Sequence, residues 1–201
     1  MTRYVQIDYD ATVTLENVGM MLQKRFAKDL TLYNKLKEAY ENETISIMEA
    51  ATGGWANTEG KQWLQTEMLV EAFSVGFRPG LPSFLEFCKE RELVPVVVSD
   101  GLSFYMKLPK GVPLIAGTAV FDGNSMQGYL PIDFKLNFAR QFRPFILIGD
   151  GLADVEPSRY AALVFSVKGS RLNKESCTIP FETFFDIIEW LTVRVDLKAV
   201  K

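Results

Sequence analysis

Along the chain the spacing of apolar residues switches between two rhythms. Residues 4–7 alternate and then meet Asp8-Tyr9-Asp10-Ala11-Thr12, which predicts a short strand ending in an acidic loop. From Leu15 to about Phe77 the period becomes helical. Val18, Met21, Leu22 and Phe26 form one face, Leu32, Leu36 and Tyr40 a second, Ile45, Ile47 and Met48 a third, and Trp63, Leu64, Met68, Leu69 and Phe73 a fourth. This block predicts a bundle of helices, interrupted around Thr52-Gly53-Gly54 and holding no strand.

After Arg78-Pro79-Gly80 strands and helices alternate. A helix is expected over 82–91, with Phe84, Leu85, Phe87 and Cys88 on its apolar side, then an all-apolar strand over 94–98 ending at Ser99-Asp100-Gly101. A short helix near 102–108, a strand near 112–115 and a hairpin turning at Asp122-Gly123-Asn124 come next. Phe134, Phe138 and Phe142 set a helix over 133–142, and a second all-apolar strand over 145–148 ends at Gly149-Asp150-Gly151-Leu152-Ala153-Asp154. A helix to Ala161, a strand over 163–165 and an amphipathic helix from Phe181 complete the pattern. Alternation of this kind predicts an α/β fold with a doubly wound, mostly parallel sheet into which the all-helical block is inserted. The expected division is residues 1–14 and 79–201 for the α/β core and 15–78 for a helical cap.

Of 201 residues, 22 are Lys or Arg and 25 are Asp or Glu, a formal net charge of −3, so the basic excess that nucleic acid or an anionic membrane would attract is missing. His is absent altogether, which removes Ser-His-Asp and Cys-His nucleophile systems and every histidine-ligated metal. Chemistry on this chain has to run on carboxylates, hydroxyls and lysines. Cys88 and Cys177 form no CxxC pair, which fits buried free thiols in a reducing compartment. The N-terminal segment turns acidic too early for a signal peptide, and no apolar run approaches the roughly 18 residues of a membrane span. A cytoplasmic protein, monomeric or homodimeric, is the expectation.

Three polar clusters close predicted strands: Asp8/Asp10/Thr12, Ser99/Asp100 and Asp150/Asp154. Ligands gather at the carboxyl ends of strands in a doubly wound sheet, so the coincidence points to one site. Each cluster also has a plainer reading: a solvated D-x-D turn, a Ser99 that caps a helix, an Asp pair that caps and solvates a helix start. Together, three or four carboxylates around one crevice suit a hard divalent ion such as Mg2+, which in proteins usually sits with phosphate. Ser99 and the amides after it can donate to a phosphoryl oxygen, and Lys135 can offset phosphate charge unless it is a solvated surface lysine. Gly149-Asp150-Gly151 does not read as a dinucleotide turn, because a carboxylate between the glycines would face the pyrophosphate.

In this order, these residues resemble the four motifs of the haloacid-dehalogenase-like phosphatases: D-x-D-x-T/V after the first strand, Ser or Thr ending the second, a distal Lys, and G-D-G-x-x-D. The match covers essentially the whole chain, including a helical cap directly after the first motif, as in the phosphoserine-phosphatase-like branch. It is thinnest over 181–195 and departs at Ala11, where the family has Gly or Ser. The resemblance implies a Mg2+-dependent phosphomonoester hydrolase of a small phosphorylated metabolite, working through an aspartyl-phosphate. It implies Asp8 as nucleophile, Asp10 as acid and base, a metal held by Asp8, the Asp10 carbonyl, Asp150 and Asp154, and a phosphoryl group clamped by Ser99 and Lys135. Lys107 and Lys110 compete for the lysine's role but come too soon after Ser99. Thr12, Asp100 and Gly101, with Glu16 and Arg25 from the cap, are the expected substrate contacts, and Arg78 is a further candidate to grip a carboxylate. Asn42-Glu43-Thr44-Ile45-Ser46 and Val98-Ser99-Asp100-Gly101-Leu102-Ser103-Phe104-Tyr105 look like the branch that dephosphorylates the methionine-salvage ketoenol phosphate, and only loosely like phosphoserine phosphatases. A catalytically silent phospho-ligand-binding protein of the same fold is the alternative of a different class.

Overall fold

The computed structural model describes residues 3–123, 126–130 and 133–194. In chain order its elements are β1 (Arg3–Ile7), α1 (Val18–Arg25), α2 (Leu30–Glu41), α3 (Ile47–Ala56), α4 (Gln62–Ser74), α5 (Leu81–Glu90), β2 (Leu93–Leu102), β3 (Leu114–Phe121), β4 (Met126–Tyr129), α6 (Phe134–Phe142), β5 (Ile146–Gly149), α7 (Val155–Ser158), β6 (Leu163–Val167), β7 (Ile179–Phe181) and α8 (Phe184–Arg194). The strands form one sheet in the order β4-β3-β2-β1-β5-β6-β7, parallel throughout except for the antiparallel pair β3 and β4.

β1 lies at the centre because both of its faces can be covered by apolar layers. Val5 and Ile7 join Phe84 of α5 and Phe184, Ile187 and Leu191 of α8 in the main core, whereas Tyr4 turns to the opposite layer with Val96, Val98, Phe134 and Phe138. A strand alternates sides residue by residue, so this parity carries Asp8 towards the α6 layer, where Lys135 occupies the first helical turn. From β1 the chain builds β2, β3 and β4 on one side and returns to lay β5, β6 and β7 on the other. That reversal leaves a crevice at the carboxyl ends of β1 and β5, and Asp8 and Asp150 flank it.

Helices α1–α4 are inserted between β1 and α5, as the helical periodicity predicts. The chain leaves and returns side by side: Leu15 N–H donates to the Gly76 carbonyl at 3.1 Å, and Arg78 N–H to the Val13 carbonyl at 2.8 Å. Caps set the helix starts: Asn17 Oδ1 accepts from Met20 N–H, Asp29 from Thr31 and Leu32, and Ser46 and Glu49 form a reciprocal capping box. No helix among the described residues is long and apolar enough to cross a membrane.

Several expectations need correction. α3 runs unbroken through Thr52-Gly53-Gly54. Its glycines serve close packing: a Cβ on Gly54 would lie 2.3 Å from Gln23 Oε1, and one on Gly53 3.0 Å from Leu36. On α4 the buried face is Leu64, Met68 and Ala72, while Trp63 and Phe73, placed by periodicity on the same apolar face, are exposed, and Leu32 on α2 is exposed too. β2 continues through Ser99-Asp100-Gly101 to Leu102, leaving only a single short turn, Ser103–Tyr105, where a helix was expected. The next strand begins at Leu114 and runs on to Phe121, and of the helix expected between β5 and Ala161 only Val155–Ser158 is α-helical. β7, too short to show an alternating pattern, precedes the last helix, which starts at Phe184. The hairpin joins β3 to β4 with Gly123 at φ 94°, but Asn124 of its expected turn and Val195 lie outside the described residues. Cys88 is buried, whereas Cys177 is exposed.

Candidate active site

Asp8 stands one residue beyond β1, and its N–H still donates to the Ile148 carbonyl of β5 at 2.9 Å, so the sheet fixes its backbone while its side chain leaves the sheet. The chain then turns at Ala11, whose φ of 57° lies in the left-handed region that costs a residue with a side chain about 1 kcal/mol or more. Arg78 holds this turn. Its buried guanidinium donates to the carbonyls of Ala11 at 2.5 Å, Thr12 at 2.9 Å and Glu182 at 3.0 Å. Those bonds commit Arg78 to the backbone, and it does not line the cavity described next, contrary to its reading as a substrate contact.

A cavity of about 360 Å³ opens over the carboxyl ends of the strands, beneath α1–α3. Its floor gathers Asp8, Asp10, Ser99, Asp100, Gly101, Lys135, Asp150 and Asp154, drawn from four separate stretches of sequence. Lys135 Nζ donates to Asp8 Oδ1 at 2.7 Å and to Asp154 Oδ1 at 2.9 Å, and stands 3.7 Å from Asp100 Oδ2. Its side chain is 6% exposed and those of Asp8 and Asp154 are 7% and 2% exposed, so this is a buried cluster in which each charge depends on the others.

Electrostatics follow from that burial. Desolvation pushes the Asp8 carboxyl well above the usual carboxylate range, Lys135 pulls it back, and Asp154 and Asp150 push it up again. Burial also raises Asp10, against the hydrogen bonds it accepts from Gly19 N–H and Tyr105. Asp150 is pushed up to about 6 by burial and then by Asp154. For Lys135 burial favours the neutral amine, but Asp154 and Asp8 outweigh it and hold the ammonium well above its ordinary value. Carboxylate oxygens of Asp8, Asp150 and Asp154 come within 4.8 Å of one another. An all-oxygen set with this spacing fits a hard divalent cation.

Among the other sequence candidates, Ser99 is buried on β2 with Oγ accepting from Gly101 N–H at 3.1 Å, so it caps no helix. Thr12 does not reach the cavity; its hydroxyl donates to Asp150 Oδ1 at 3.3 Å and braces that carboxylate. Glu16 is exposed outside the cavity, and Arg25 is paired on the surface with Glu71 at 2.8 Å; neither lines it. Lys107 and Lys110 are exposed, and Lys107 Nζ lies over the Phe73 ring at 5.7 Å. Sequence reasoning gave no site role to Gly19, Tyr33 or Arg171, and named Tyr40 and Tyr105 only within an apolar face and a matched stretch. No spacing announces them, because each reaches the site through the packing of the inserted helices or of loops distant in sequence.

No family model matches the chain. In three dimensions it is similar to phosphoserine phosphatase carrying a phospho-aspartyl intermediate analogue, with a TM-score of 0.77, 17% identity, and coverage of 94% of this chain and 98% of the other. It is equally similar to a substrate-bound phosphoserine phosphatase complex, at TM-score 0.76, 17% identity and 96% and 98% coverage. In fold and in the order of its motifs the chain is similar to the haloacid-dehalogenase-like hydrolases. In sequence it is 26% identical, over 96% of its length and 100% of the relative's, to the 2-hydroxy-3-keto-5-methylthiopentenyl-1-phosphate phosphatase of Microcystis aeruginosa. A protein of the same name from Exiguobacterium sp. is 24% identical over 95% of this chain and 98% of the relative.

Proposed function

We propose that the chain is a Mg2+-dependent phosphomonoesterase that passes the phosphoryl group through Asp8 and acts on a small metabolite with an uncharged, partly apolar leaving group. The observation that carries this reading is the buried cluster of Asp8, Asp150 and Asp154 around Lys135 on the floor of one cavity, with Asp10 beside it.

Asp8, Asp150, Asp154 and the Asp10 carbonyl would hold Mg2+, which would supply positive charge against the phosphoryl oxygens. An oxygen of Asp8 bonds to phosphorus as the ester P–O bond breaks, and the departing oxygen takes the proton of Asp10. Water then gives a proton to the Asp10 carboxylate while its oxygen bonds to phosphorus and the Asp8–phosphorus bond breaks, releasing phosphate. Burial of Asp10 supports the first half of this cycle, since a raised carboxyl holds its proton until the leaving group needs it. Lys135 and Ser99, with the amides after Ser99, would hold the phosphoryl oxygens.

Residues 15–78 act in this reading as a cap that supplies the leaving-group side of the cavity. Met20, Tyr33, Leu36, Ile47 and Trp55 face it, and the cations there are already matched: Lys37 bonds Glu41 at 2.5 Å, and Arg171 bonds Glu175 at 2.7 Å and Glu43 at 3.4 Å. A carboxylate such as that of phosphoserine would find no unpaired cation among the described residues that line the cavity. This supports the reaction named for the curated relatives, hydrolysis of 2-hydroxy-3-keto-5-methylthiopentenyl-1-phosphate. Measuring kcat/KM with and without Mg2+ for that ester, phosphoserine and p-nitrophenyl phosphate tests both halves. The ester should lead and chelation should abolish all three; preference for phosphoserine overturns the substrate reading, and binding without turnover leaves a silent phospho-ligand binder.

A further inference from the structure

The two oxygens of Asp10 are held from different layers of the molecule. Gly19 N–H, in the first turn of α1, donates to Oδ1 at 3.0 Å; the Tyr105 hydroxyl, in the turn after β2, donates to Oδ2 at 2.7 Å. Tyr105 is fully buried, and its ring is fixed among Trp55, Phe104 and Tyr9 at centroid distances of 5.9, 5.3 and 6.3 Å. Two glycines leave the room for this contact. A Cβ on Gly101 would lie 2.0 Å from the phenol oxygen and 2.8 Å from Asp10 Oδ2, and one on Gly19 would lie 2.8 Å from the phenol oxygen. Neither glycine has a positive φ, so what counts at both is the missing side chain.

We propose that Tyr105 is the positioning residue for Asp10 in phosphoryl transfer, an inference that rests on the functional reading above. A backbone N–H can only donate, whereas a phenol donates to a carboxylate and, by turning about its C–O bond, accepts from a carboxylic acid. The contact at Oδ2 therefore survives both forms of Asp10 and keeps the carboxyl aimed first at the departing oxygen and then at the attacking water. Without the Tyr105 hydroxyl the carboxyl is tethered at Oδ1 alone, and the loss falls on reactions in which the leaving oxygen needs its proton.

The test is kcat/KM of Tyr105→Phe with Mg2+, using p-nitrophenyl phosphate, whose leaving group needs little protonation, and an alkyl phosphate, whose leaving group needs it. The alkyl phosphate should slow by about tenfold or more, the scale of a lost hydrogen bond to a charged group, while p-nitrophenyl phosphate changes by less than about threefold. Equal losses on both substrates, or no loss, overturn the proposal. Asp10→Asn is measured beside it. If that variant shows no leaving-group dependence, the functional reading of Asp10 has failed; if it does and Tyr105→Phe does not, only the role of Tyr105 is dismissed. Should Tyr105→Phe not fold, Tyr105→Met, which removes the hydroxyl but keeps an apolar side chain of similar reach, takes its place and must show the same split.

Discussion

At the residue scale, Lys135 separates what the chain shows locally from what only the fold assembles. Its order after Ser99 made it a candidate, but Lys107 and Lys110 have the same chemistry; burial against Asp8 and Asp154 sets it apart. Lys135→Ala is expected to lower kcat/KM for p-nitrophenyl phosphate by about a hundredfold or more, whereas Lys107→Ala and Lys110→Ala stay within about twofold of wild type. Steady-state kinetics on the three variants decides it, and a large loss at Lys107 would reassign the lysine. Asp8, Asp10, Ser99, Asp150 and Asp154 were legible because motif and strand end coincide. Glu16 and Arg25 were misplaced because helical periodicity does not say which side of an inserted helix faces the sheet. The cysteines make a similar point: Cys88, with its thiol pushed up to about 12 by burial, should resist a thiol reagent in the native state while exposed Cys177 reacts. A titration should count one reactive thiol per folded chain and two in denaturant.

Among the elements, β1, β2 and β5 announced themselves as short apolar runs because a central parallel strand is covered on both faces. β7 and the true length of β3 did not: β7 is a three-residue edge strand, and β3 runs on past its parallel pairing with β2 to pair with β4. Arg78, at the junction between the inserted helices and α5, is the least legible of the structural residues, because its partners are backbone carbonyls. Arg78→Met should destabilise the fold by about 3 kcal/mol, having removed charge-assisted bonds to three carbonyls, and should also lower kcat by loosening the Ala11 turn next to Asp10. Urea denaturation and kinetics on the same preparation check both; unchanged stability would mean that the turn holds itself.

For the whole molecule, the alternating rhythm and the inserted helical block were readable in advance, and strand order follows from β1 serving both halves of the sheet. The cavity was not readable, since it depends on how α1–α3 lie over the strand ends. Five acids and one lysine meet on its floor, and stability should respond to pH and metal together. Asp150, pushed up to about 6 in the folded chain, binds its proton more tightly than in the unfolded chain, so the stability it contributes is present at low pH and is lost as pH rises through about 6. Mg2+ binding the ionised carboxylates should restore it. The ion is expected to raise the thermal midpoint by several degrees at about pH 7.5 and by less at about pH 5; equal shifts in a calorimetric scan would remove the carboxylate cluster from metal binding.

Turnover by Asp8→Asn tests the phosphoryl-transfer chemistry most directly. The amide keeps the shape of the side chain but supplies no oxygen nucleophile. With Mg2+ and p-nitrophenyl phosphate, the wild-type chain should turn over, and the variant, melting within a few degrees of it, should be slower by roughly a thousandfold or more. A folded Asp8→Asn protein with near wild-type turnover would contradict an aspartyl-phosphate at Asp8.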